Sequence, residues 1–143
     1  MEFYDTCALL NSYDSLQGKK FVISEISLKE LEEIKSSRSK DEEAKFKARQ
    51  VSKVLLENVE NVDIVRFTEG VSKLWKINEL ADNNDGKILA SVLWYSIHFK
   101  PDNVVFVCDD FNDYQFSETF DVIYSSLTMM HFKHKKQVIA KID

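Results

Sequence analysis

The sequence is poor in the residues that make linkers, staples and membrane spans. One proline (Pro101) and three glycines (Gly18, Gly70, Gly86) leave no flexible linker and no low-complexity segment in 143 residues. The two cysteines, Cys7 and Cys108, are isolated, which gives neither a disulfide framework nor a metal-binding spacing. That usage fits a reducing cytoplasm. No apolar run approaches the roughly 20 residues of a membrane helix. The opening Met1-Glu2-Phe3-Tyr4-Asp5 has neither the basic segment nor the apolar core of a signal peptide. What is present, 44% hydrophobic and 30% charged residues, suits one soluble domain over residues 1–143 with a core of its own.

Net charge is −5, yet the charge is uneven. Lys35 to Lys53 carries +4 and His131 to Asp143 carries +3, so the remainder carries −12. An acidic centre with basic flanks suits a protein that gathers cations in one place and touches phosphate elsewhere. Solvated helix faces would give the same count.

Hydrophobic periodicity predicts alternating strands and helices. Strands are expected at Glu2–Asp5, Lys20–Ser24, Asp63–Phe67, Val104–Val107 and Asp121–Tyr124. Between them, an apolar helical turn is expected over Cys7–Leu10 and a polar loop over Asn11–Gly18. A helix is expected over Leu28–Lys35, with Leu28, Leu31 and Ile34 inward and Ser27 and Glu30 spaced as a capping box. A basic helix follows over Asp41–Asn58, with Val51, Val54 and Leu55 as its apolar face. Thr68–Glu79 is read as helical through Val71, Leu74 and Trp75. Asn83-Asn84-Asp85-Gly86 opens a helix to about Phe99 with Ile88, Leu89, Val92, Leu93 and Ile97 inward, and Pro101 blocks its continuation. A short helix is expected near Asn112–Glu118, and beyond Ser125 a helix over Leu127–Phe132 before a basic tail. Such alternation implies a three-layer α/β/α fold with a mainly parallel sheet of about five strands.

The stretch Val104-Val105-Phe106-Val107 is dense enough in apolar residues for a strand buried on both faces, and it runs straight into Cys108-Asp109-Asp110. Three further acids stand in comparable places. Asp5 ends the first strand, Glu30 falls early in the helix after the second, and Asp85 falls in the first turn of the Ile88–Phe99 helix. A parallel sheet brings strand carboxyl ends and helix amino ends to one rim. Four carboxylates gathered there repel and raise one another's pKa unless a cation neutralises them. Hard oxygen ligands without His or Cys select Mg²⁺ or Mn²⁺, and such a site suits metal-assisted phosphodiester hydrolysis. Each acid also has a plainer role: Glu30 in a capping box, Asp85 favoured by the helix dipole, Asp110 as a cap and Asp5 as a turn former.

The joint pattern resembles the PIN domain. Tyr4-Asp5-Thr6-Cys7-Ala8-Leu9-Leu10 is similar to that family's first motif, and Ile26 to Lys35, with Glu30 before Leu31, resembles its second. Most similar there is the version fused to PhoH-type ATPases. Asn84-Asp85-Gly86-Lys87-Ile88-Leu89 resembles the third motif and Val105 to Asp110 the fourth. The resemblance implies a stand-alone PIN fold and a metal-dependent endoribonuclease that hydrolyses RNA by metal-activated water. It implies Asp5, Glu30, Asp85 and Asp110 as catalytic and metal-binding residues, with Thr6 as a supporting hydroxyl. Two departures stand out. Cys108 replaces the usual Thr or Ser, and Asp109 in the variable position could trade roles with Asp110 as a metal ligand. No phosphate loop of an ATPase partner is present.

Lys35, Arg38, Lys45, Lys47 and Arg49 are candidates for contacting the phosphates of single-stranded RNA. Trp75, Trp94, Tyr95 and both cysteines are assigned to the core. The expected partners are RNA, with room for a protein inhibitor of the antitoxin kind and for a homodimer, and no membrane. The alternative is a catalytically weak PIN-like module that binds RNA or a protein without cutting, for which Cys108 is the only support. A response-regulator receiver, another acid-rich α/β fold, fits poorly because here the acid pair comes last.

Overall fold

The computed structural model describes residues 1–99 and 104–108. Within them the chain forms β1 (Glu2–Tyr4), α1 (Thr6–Asn11), β2 (Phe21–Ser24), α2 (Glu25–Ser36), α3 (Glu42–Glu57), β3 (Val62–Val65), α4 (Glu69–Ile77), α5 (Asn84–Phe99) and β4 (Val105–Val107). The four strands form one parallel sheet in the order β3-β2-β1-β4. Phe3 lies beside both Val22 and Phe106 in register, and Ile23 lies beside both Tyr4 and Ile64. The expected fifth strand, Asp121–Tyr124, and the elements expected after it lie outside the described residues, as does the helix near Asn112–Glu118.

Period-two alternation sorts the strand side chains into two cores. Phe3, Val22, Val65 and Phe106 face α4 and α5, where Ile88, Leu89, Val92 and Leu93 cover them. Tyr4, Phe21, Ile23 and Val62 face the other way, against Leu9 of α1, Leu31 of α2 and Val51 of α3. The architecture is therefore three-layered. The chain steps outward from β1 through β2 to β3, then returns to place β4 on the other side of β1. That reversal is a topological switch point, and in open parallel sheets the crevice outside such strand ends is where ligands bind.

Four local expectations need correcting. Helix α2 starts at Glu25 rather than Leu28, because Ser24 ends β2 in extended conformation and its Oγ accepts from the Ile26 N–H at 3.1 Å. The Ser27–Glu30 capping box does not form; Ser27 is fully buried inside the helix and Glu30 falls in the second turn. Strand β3 ends at Val65, two residues early, because the Phe67 N–H donates to the Glu25 carboxylate at 3.0 Å instead of continuing the ladder. Ile97, expected inward, is 44% exposed on the far end of α5.

Candidate active site

Two acids of the rim, Asp5 and Asp85, are placed by local backbone devices. Asp5 follows β1 directly and caps α1, its Oδ1 accepting from the Ala8 N–H at 2.8 Å. Its own N–H donates to Val107 O at 3.1 Å, so β4 ends beside it. Asp5 as a whole is 4% exposed. Glu30 is placed differently, by a side-chain contact. Thr6 Oγ1 donates to Glu30 Oε1 at 2.7 Å and lies 2.9 Å from the buried Ser27 Oγ. The residue read as a helix cap thus joins α2 to the start of α1.

Asp85 is set by the entry into α5. Asn83 Oδ1 accepts from the Gly86 N–H at 2.9 Å and starts the helix there. A Cβ on Gly86 would stand 1.9 Å from Ala81 O, so only glycine permits this close approach. Trp75 Nε1 donates to the same Ala81 O at 2.8 Å and holds it in place. A second tie runs through the core, where Ser24 Oγ and Ser91 Oγ meet at 3.1 Å and connect the start of α2 to α5.

These devices converge. Asp5, Thr6, Glu30 and Asp85 line one open cleft of about 450 Å³, together with Cys7, Glu33 and Lys40. Asp109 and Asp110 lie outside the described residues. Among the described residues, no three His, Cys, Asp or Glu side chains come close enough together to hold a metal ion. The cleft also carries the Cys7 thiol, but its other candidate ligands are carboxylate and hydroxyl oxygens with no imidazole among them, and that oxygen set fits Mg²⁺ or Mn²⁺.

The basic residues named from the sequence are elsewhere. None of Lys35, Arg38, Lys45, Lys47 and Arg49 lines the cleft. Lys35 pairs with Glu32 at 2.6 Å and borders a separate apolar groove with Leu28, Leu55 and Ile64. Lys45 pairs with Glu42 at 3.6 Å and Lys47 with Glu43 at 3.2 Å, while Arg38 and Arg49 are exposed. The basic residue that does line the cleft, Lys40, is not in that set, although the set reaches into the same loop at Arg38. Cys7, expected in the core, is exposed and lines the cleft; Cys108 is buried as expected. Tyr95 is a core residue, and Trp75 and Trp94 pack half-buried against the same cluster.

Comparison with known proteins agrees with this architecture. A family model described as "PIN domain" matches residues 3–126, and the chain belongs to the PIN domain family. No curated protein matches it. Among solved structures it is similar in fold to "VapBC2 from Rickettsia felis bound to a DNA fragment from their promoter". That match has a TM-score of 0.51 at 11% identity and covers 92% of this chain and 96% of the other.

Proposed function

Starting from membership of the PIN domain family, we propose that the chain is a Mg²⁺- or Mn²⁺-dependent endoribonuclease working at the cleft between α1, α2 and α5. One observation carries the reading: acids from three separated stretches, Asp5, Glu30 and Asp85, line a single cleft at the switch point of the sheet. Asp110, two residues beyond Cys108 and three beyond the end of β4, completes the proposed set, with Asp109 as its neighbour. In this reading Asp5, Glu30, Asp85 and Asp110 hold the cation, and Thr6 fixes the Glu30 carboxylate through its hydroxyl. A bound divalent ion supplies Lewis-acid polarisation of the phosphoryl oxygen and a more acidic attacking water. The chain's own part is to keep the acids at the rim by caps and close packing, so that little reorganisation accompanies reaction.

The test is cleavage of single-stranded RNA and DNA with Mn²⁺ and with chelator. Asp5→Asn keeps a residue able to cap α1 and removes only the charge, so it separates chemistry from folding. We expect wild type to cut RNA only with metal and Asp5→Asn to cut about 100-fold more slowly or worse. Mn²⁺ should raise the melting temperature of wild type and not of the variant. Undiminished cleavage by Asp5→Asn would sink the assignment.

A second reading, an RNA- or protein-binding module that does not cut, has one observation in its favour. Cys108 stands where the motif has Thr or Ser, and its thiol packs into the α5 core. Metal-independent RNA binding without cleavage would select that reading.

A further inference from the structure

A cleft lined by Asp5, Glu30, Glu33 and Asp85 repels a phosphodiester strand unless a cation faces it. Lys40 does so, from the turn that joins α2 to α3. The turn is pinned by Ser37, whose Oγ accepts from the N–H groups of Ser39 at 3.2 Å and Lys40 at 3.3 Å. Lysines on both sides are committed to carboxylates of their own helices, Lys35 to Glu32, Lys45 to Glu42 and Lys47 to Glu43. Among the described residues, no ion pair holds the Lys40 ammonium. The backbone of Lys40 is held by Ser37 while, among the described residues, its charge stays uncommitted in the lining of an acidic cleft.

We infer that Lys40 is the substrate-binding cation of this site, taking a backbone phosphate of single-stranded RNA beside the bond to be cut. The inference rests on the nuclease reading and adds to it where the strand lies: along the α2–α3 turn, not along the outer face of α3. An ammonium is a compact point charge that can follow a flexible backbone. A phosphate contact carries no base information, so Lys40 strengthens binding without choosing sequence.

The experiment uses a fluorescein-labelled single-stranded RNA 20-mer and the full chain as wild type, Lys40→Ala, Lys40→Arg and Lys53→Ala. Binding is followed by anisotropy in chelator across a salt series, cleavage with Mn²⁺, and folding by thermal melting. Lys40→Ala should weaken binding about fivefold and lower the slope of log K against log salt by about 0.7. Lys40→Arg should keep both values, and Lys53→Ala, on the far part of α3, should move neither. The inference is overturned if Lys40→Ala matches wild type in affinity and slope. It is also overturned if the variant only loses melting temperature with its salt slope intact, since the charge then merely offsets the acids. Wild type that binds but does not cut overturns the nuclease reading alone, and the binding comparison decides Lys40. Wild type that neither binds nor cuts overturns both.

Discussion

Helices α3 and α5 have the same length, 16 residues each, and opposite roles. Helix α5 buries eight residues against the sheet, and its first turn is locked by the approach of Gly86 to Ala81. Helix α3 buries only Ala48 and Val51 and spends its lysines on its own glutamates. The difference teaches where a placed charge comes from. Asp85 stands at the rim because the packing below it admits one helix position. The charges of α3 are tethered to one another along a solvated surface, where each pair contributes only about 0.3–0.5 kcal/mol. A dense run of basic residues therefore need not lie with the acids: none of Lys35, Arg38, Lys45, Lys47 and Arg49 lines their cleft.

The contrast breaks most easily in the side chains of the two helices. Leu89→Ala in α5 removes a fully buried side chain and should cost about 3 kcal/mol in urea unfolding. Leu56→Ala in α3, 80% exposed, should cost less than about 0.5 kcal/mol. Similar costs for the two would mean that the layers do not differ as described.

Gly86→Ala sharpens the same point at the site. Its Cβ would press on the Ala81 carbonyl, so the α4–α5 turn must shift, and we expect a loss of about 2 kcal/mol. Cleavage should fall by more than stability explains, because Asp85 moves with the turn. A variant with wild-type melting and wild-type activity would refute the locked entry.

The smallest effect is one of pH, in the layer that α3 covers. Burial pushes the Tyr4 phenol up from its ordinary value, opposed in part by the hydrogen bond from Lys19 at 2.9 Å. That hydrogen bond in turn pushes Lys19 up. Both groups hold their protons more tightly folded than unfolded. Their contribution is therefore complete below the unfolded values, near pH 10, and is lost as pH rises through the folded ones. Tyr4→Phe should flatten the alkaline decline of stability and leave the neutral region's slope unchanged. An identical alkaline limb would show that this pair plays no part in it.

Strand positions and the long helices were legible because period two and period 3.6 are direct consequences of backbone geometry. The rim was legible for a related reason: Asp5 and Asp85 sit at element boundaries, and boundaries of a parallel sheet share an end. Glu30 was placed at that rim through a misread device, since Ser27-x-x-Glu30 has capping-box spacing but Ser24 caps the helix first. What could not be read were contacts without period. The Thr6–Ser27–Glu30 contact spans 24 residues of sequence, and Lys40 reaches the cleft from a loop. Exposure of Cys7 was missed because α1 is only six residues long, too short to show which face is inward.

The hydrogen bond from the Trp75 indole to Ala81 carries one more consequence. It ties a chromophore to the turn that sets the rim of the cleft, about half-way between core and solvent. Emission from this ring thus offers a built-in optical gauge of the turn: a red shift ahead of global unfolding would register release of Ala81, and with it the loosening of Asp85, without any label attached to the chain.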